Sequence, residues 1–140
     1  MSYASARAAV EDRLQANWTA TPIAWENVDF DPQAPGGSFP AGGPFIAFTV
    51  LWGHEWQRSF GADVNLYRNT GVLQLHVRTA RGVGTSQAHT LADSLAALFR
   101  GQQFSGFTFW SAYPEPGEEE KEAGWYRVTV NVPFKLDEFY

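Results

Sequence analysis

The sequence predicts an α+β domain: a mostly antiparallel sheet of about five strands, with two helices packed on one face, in the order α-β-β-β-α-β-β. Three observations predict it. Two segments, ending at Asn17 and Phe99, carry apolar residues at helical spacing. The β-branched and aromatic segments come in consecutive runs, which favours antiparallel neighbours over βαβ crossovers. The chain has 140 residues, one domain's worth, and reads as a single domain over 1–140.

The first helix starts at residue 2 or 4 and runs to Asn17. Tyr3, Ala6, Val10 and Leu14 make one stripe, with Arg7 and Glu11 four apart on the outer face. Thr21-Pro22 stops it, because a residue before proline disfavours the helical region. Residues 23–30 read as a short strand with a phase slip near Asn27, which a bulge would absorb. Residues 31–44 hold four prolines and four glycines and read as a loop.

Residues 45–52 (FIAFTVLW) are the strongest strand signal, apolar on both faces and therefore central. Residues 72–79 alternate: Leu73, Leu75 and Val77 point one way, Gln74, His76 and Arg78 the other. Between these strands, residues 53–71 are long for a hairpin turn and read as an extended arm or projecting β-ribbon.

Arg81-Gly82-Val83-Gly84 then breaks the strand, and Thr85 or Ser86 can cap a second helix. Ala88, Leu91, Ala92, Leu95, Leu98 and Phe99 form its apolar face, and Gly101 supplies the conformation that ends it. Residues 104–112 read as one strand with Phe107 and Phe109 in phase. Residues 113–124 read as an acidic loop. Residues 125–136 alternate as the last strand, and Pro133 places the end of that strand at a sheet edge.

Composition narrows the function. Lys+Arg 10 against Asp+Glu 15 gives a net charge of −5, which argues against a nucleic-acid-binding stripe and against anionic membranes. The chain has no cysteine, so it has no disulfide, thiolate nucleophile or Cys-ligated metal. No apolar run reaches the roughly 20 residues of a membrane span. The first residues lack the pattern of a secretion signal, so synthesis in the cytoplasm is expected.

No catalytic, cofactor or metal residues are predicted. His54, His76 and His89 share no ligand spacing. Gly82-Val83-Gly84-Thr85 lacks a full phosphate-binding pattern, because residue 87 is Gln. Glu26, Asp29 and Asp31 read as solvated carboxylates.

Two segments suit contacts. The arm carries Trp52, His54, Trp56, Arg58, Phe60, Tyr67 and Arg68, an aromatic and arginine mixture typical of interface anchors. Trp52 reads equally well as core. The acidic loop carries Glu115, Glu118, Glu119, Glu120 and Glu122 with only Lys121 opposing, about −4 in all. It reads as solvated and extended, so neutralising Glu118, Glu119 and Glu120 should leave folding untouched. Weak contact with a basic partner, or repulsion of a polyanion, is the functional alternative.

The segments TPIAWENVDFDP and GVGTSQAHTLADSLAALFRG, set in this order of elements, carry a likeness. The chain resembles the small tail terminator proteins of long-tailed bacteriophages, also called tail completion or head–tail joining proteins. The resemblance implies a structural virion protein and no enzyme. It implies a homo-oligomeric ring, usually of six subunits, at the head-proximal end of the tail tube. The ring would stop tube growth and dock the head connector, with the tube protein and the connector as partners. DNA would pass through without sequence-specific binding, which a negative chain suits. Another neck or tail-tube component is one alternative. A small α+β ligand-binding or catalytic domain is the other, with a pocket where His76, Arg78 and Asn131 converge.

Overall fold

The computed structural model describes residues 3–61, 63–120 and 124–140. Helix α1, Tyr3–Asn17, buries Ala6, Val10 and Leu14, the predicted stripe. Strand β1 is only Ile23–Ala24 and runs parallel to the next strand, Ile23 opposite Ile46. The strand predicted over 23–30 stops there because the chain turns. The Val28 N–H donates to the Trp25 carbonyl at 3.2 Å, and Asn27 sits at φ 58°, a left-handed position that asparagine tolerates. The phase slip is a turn, not a bulge. Residues 31–44 form a loop, as predicted.

Strands β2, Phe45–Gln57, and β3, Leu66–Ala80, form one long antiparallel hairpin, with a register shift between Trp52 and Glu55. Both outrun the predicted strands. The last strand, β8, is Trp125–Phe139 and pairs with β3 from Leu66 opposite Phe139 to Ala80 opposite Trp125. The predicted arm is thus a ribbon of three strands, continuous with the sheet. Gly71 reads in the sequence as a strand boundary but lies inside the ladder. A Cβ there would sit 2.3 Å from the Leu51 carbonyl oxygen, so glycine permits a close approach and does not end the strand.

Helix α2, Ser86–Phe99, buries Ala88, Ala92, Leu95, Ala96 and Phe99. Thr85 stands at its N-cap without a side-chain capping bond, against expectation, while Gly101 takes the predicted left-handed position at φ 68°. The strand predicted over 104–112 is a small hairpin. Strands β4, Gln103–Phe104, and β5, Phe107–Phe109, flank Ser105 at φ 50° and Gly106 at φ 85°. Two successive left-handed residues make the tight turn whose twist suits a hairpin.

Two more short strands, β6, Tyr113–Pro114, and β7, Glu118–Glu120, lie in the predicted acidic loop and pair with β8. The sheet therefore has eight strands, not about five, in the order β1-β2-β3-β8-β5-β4, with β6 and β7 also on β8. One parallel pair makes it mixed. Strand β8 is internal, so Pro133 is not at an edge. The Pro133 carbonyl accepts from the Trp110 N–H at 3.3 Å. The N and O of one strand residue point to the same side, so the missing N–H faces the gap between β5 and β6 and costs the β3 ladder nothing.

Both helices pack on one face, as predicted. Their buried residues share one core with Ile46, Phe48, Leu75, Val130 and Phe134 of the sheet. The other face carries Thr49, Gln74, His76, Arg78, Arg127 and Asn131. No helix among the described residues is long and apolar enough to cross a membrane.

Candidate functional site

The root of the arm is core. Trp52 packs edge-on against Tyr3 at 4.6 Å and Phe134 at 5.5 Å, so it anchors the ribbon while staying partly exposed. Tyr3 donates its hydroxyl to Asn69 Oδ1 at 2.8 Å. Glu138 is buried here and accepts from the Tyr140 hydroxyl. That bond, with burial behind it, pushes the Tyr140 phenol up to about 12. Sequence reasoning missed Glu138, because a charged residue on an alternating strand carries no signal of burial.

Farther out, predicted contact residues divide. Arg68 grips Asp137 with two hydrogen bonds, at 2.7 and 3.0 Å, and so fastens β3 to β8. The guanidinium holds the Asp137 carboxyl below its ordinary range. Tyr67 packs edge-on against Tyr140 at 5.5 Å, and Asn65 and Tyr140 exchange backbone hydrogen bonds that pin the C-terminus to the arm's turn. Trp56 is 46% exposed beside His54, and Phe60 is 78% exposed. The Arg58 guanidinium, also exposed, makes no hydrogen bond or ion pair among the described residues; it acts on Asp137 only at a distance. His54, Trp56, Arg58 and Phe60 are thus the exposed side chains among the predicted contact residues.

The acidic segment is paired rather than free: Glu120 is half-buried, while Glu115, Glu118 and Glu119 stay exposed. Glu120 Oε1 accepts from Arg78 Nε at 2.9 Å and lies 3.7 Å from Arg127. Glu118 accepts from Arg127 at 3.0 Å, Glu119 lies 3.6 Å from Arg81, and Glu115 accepts from Asn131 at 2.8 Å. The sequence shows five carboxylates between 115 and 122 but not the arginines that a sheet brings opposite them. Glu122 and Lys121 lie outside the described residues. Neutralising this segment is therefore not harmless. Glu120→Gln is expected to cost about 1 kcal/mol and a few degrees in Tm, because it takes the carboxylate from the half-buried Arg78 and leaves Arg127 only Glu118. A melting curve superposable on the parent's would restore the solvated reading.

His76, Arg78 and Asn131 do meet on one face of the sheet. His76 Nδ1 is 3.0 Å from Thr129 Oγ1 and Nε2 is 3.5 Å from Thr49 Oγ1. Asn131 also accepts from Gln74 at 3.2 Å. Burial first, then the charges of Arg78 and Arg127, push His76 down to about 4. Each of the three is held by its own neighbours: His76 by Thr49 and Thr129, Arg78 by Glu120, and Asn131 by Gln74 and Glu115. Among the described residues no group of three His, Cys, Asp or Glu is placed to hold a metal.

The described residues thus show paired strands, internal ion pairs and a few exposed aromatics, and comparison with known proteins gives the family. The family model described as phage tail terminator protein matches residues 5–134. The chain belongs to the phage tail terminator family. It is thereby a structural tail protein of a virion, from a family of tail components rather than enzymes. One solved structure is similar across 100% of this chain and 98% of its own, with 27% identity and a TM-score of 0.65. That protein carries no descriptive name. No curated protein is a match for the chain.

Proposed function

We propose that the chain closes into a ring, of six subunits, that caps the head-proximal end of the tail tube, stops tube polymerisation and joins the tail to the head connector. The observation that carries this within the family is the outer half of the β2 edge. Strand β1 covers only Ile46 and Ala47, so from Phe48 to Gln57 that edge has no strand partner among the described residues. An exposed edge beside free aromatics is a template for another chain. Contacts between two different patches of one subunit repeat around an axis and close into a ring when the rotation allows. The net charge of −5 suits a lumen that lets DNA through without holding it.

Native mass spectrometry over a concentration series tests the ring. Six copies of the 15.6 kDa chain give a species of about 94 kDa. A chain that stays monomeric alone and with tube protein overturns the proposal. Trp56→Ala is expected to leave the fold intact and weaken assembly at least tenfold, as loss of an interface tryptophan does. Normal tails from this variant would remove the arm from the contact.

A further inference from the structure

The outer end of the arm rests on little. Past the register shift, β2 and β3 share only the pairs Glu55–Asn69, Trp56–Arg68 and Gln57–Tyr67. Two strands alone are marginal in water, so this end needs a third. The end of β8 supplies it. Asp137, Glu138 and Phe139 pair with Arg68, Tyr67 and Leu66, and Tyr140 exchanges backbone hydrogen bonds with Asn65. The Asp137 N–H still donates to the Gly106 carbonyl, at 3.0 Å. Beyond it, β8 has β3 as its only strand neighbour among the described residues.

What docks this end and what opposes docking lie on opposite faces. On the open face, Arg68 holds Asp137 through two hydrogen bonds. On the helix side, docking buries Glu138 to 1% exposure, with the Tyr140 hydroxyl as donor and no cation paired with it among the described residues. Glu138 Oε1 and, one strand away, Asn69 Nδ2 are buried without a hydrogen-bond partner among the described residues. Glu55 brings a second negative charge to this side, where it acts on the Tyr3 and Tyr140 phenols together with Glu138. A carboxylate taken out of water with no cation is costly, and so is a hydrogen bond left unmade.

We infer that residues 137–140 are a releasable latch on the arm. Docked, they make its outer end a rigid ribbon of three strands. Released, they return Glu138 to water and leave Trp56, Arg58 and Phe60 on a two-stranded stem that can change shape. Release is local, because Phe134 and Leu136, just before the latch, belong to the core and stay there. The latch is a property of the single chain and does not depend on ring formation.

Amide hydrogen exchange of the full chain, read by mass spectrometry, tests it. In the parent, residues 55–57, 66–68 and 137–140 should exchange together, about tenfold or more faster than α2. Arg68→Ala should speed that exchange about tenfold and leave α2 unchanged. Glu138→Gln keeps an acceptor for the Tyr140 hydroxyl but carries no charge, so it should slow exchange in the same residues about tenfold. Unchanged or faster exchange in Glu138→Gln would show that the buried carboxylate does not oppose docking, and overturns the latch. An arm that exchanges as slowly as α2 in the parent, or that responds to Arg68→Ala only in step with α2, overturns it as well.

Discussion

Phe134→Ala is expected to destabilise the protein by about 3–5 kcal/mol, the largest single loss available from the core. Phe134 is 1% exposed on β8, where the helix-covered core meets the arm. Its ring lies 5.1 Å from Phe107, 5.5 Å from Trp52 and 5.9 Å from Phe109. Removing it opens a cavity walled by three other rings and by Gly71. These walls belong to three paired strands and cannot collapse inward without breaking ladders. The Gly71 side shows how tight the site is, since a Cβ there would come within 2.9 Å of the Phe134 ring. Gly71→Ala relieved only by moving backbone should itself be costly, typically by about 1–3 kcal/mol. Urea unfolding followed by tryptophan fluorescence measures both, and Trp52 reports on the same cluster. Phe134→Ala losing less than about 1 kcal/mol would mean that the arm is not keyed to the core through this ring. Because the arm's root depends on it, the variant should also assemble poorly at temperatures where it is still folded.

The parts of this fold that show in the sequence are those with a long period. The stripe Ala6, Val10, Leu14 and the face from Ala88 to Phe99 each repeat over several turns, and the structure buries both. The alternation of Leu73, Leu75 and Val77 likewise fixes which side of β3 meets the helices. Short elements fail for a physical reason: two or three residues carry no period. The β4–β5 hairpin shows only as Ser105-Gly106, a turn signal lying inside an aromatic run. Strands β6 and β7 exist because β8 has a free side for them, which no local pattern records. The arm's position and its free Trp56, Arg58 and Phe60 were legible from composition. That Trp52 packs half-buried on the core, that Arg68 grips Asp137, and that the glutamates answer Arg78 and Arg127 depends on cross-strand register, set at long range.

That same register places a titration within the sheet. Stability is expected to fall as pH drops from about 6.5 toward about 4, by about 1–2 kcal/mol through His76 alone. The ring lies between Thr49 of β2 and Thr129 of β8, with Arg78 and Arg127 on its cationic side and Glu120 and Glu115 opposing them. Burial and the two guanidinium groups hold its folded value at about 4, below the ordinary 6.5. Between those values the unfolded chain binds the proton and the folded chain does not, so acid favours unfolding. The stabilisation is complete above about pH 6.5 and lost progressively below it. A displacement of this size corresponds to about 3 kcal/mol for a fully shielded ring. His76 is only partly covered, and solvent screens the neighbouring charges, which brings the expectation down to about 1–2 kcal/mol. His76→Gln keeps a neutral polar group between the two threonines but cannot take the proton. Its stability should change less than the parent's across this window, while the contribution of Asp137 and the other carboxylates cancels between the two proteins. Urea midpoints at pH 7, 6, 5 and 4.5 decide it: if parent and variant fall in parallel, the ring is already solvated.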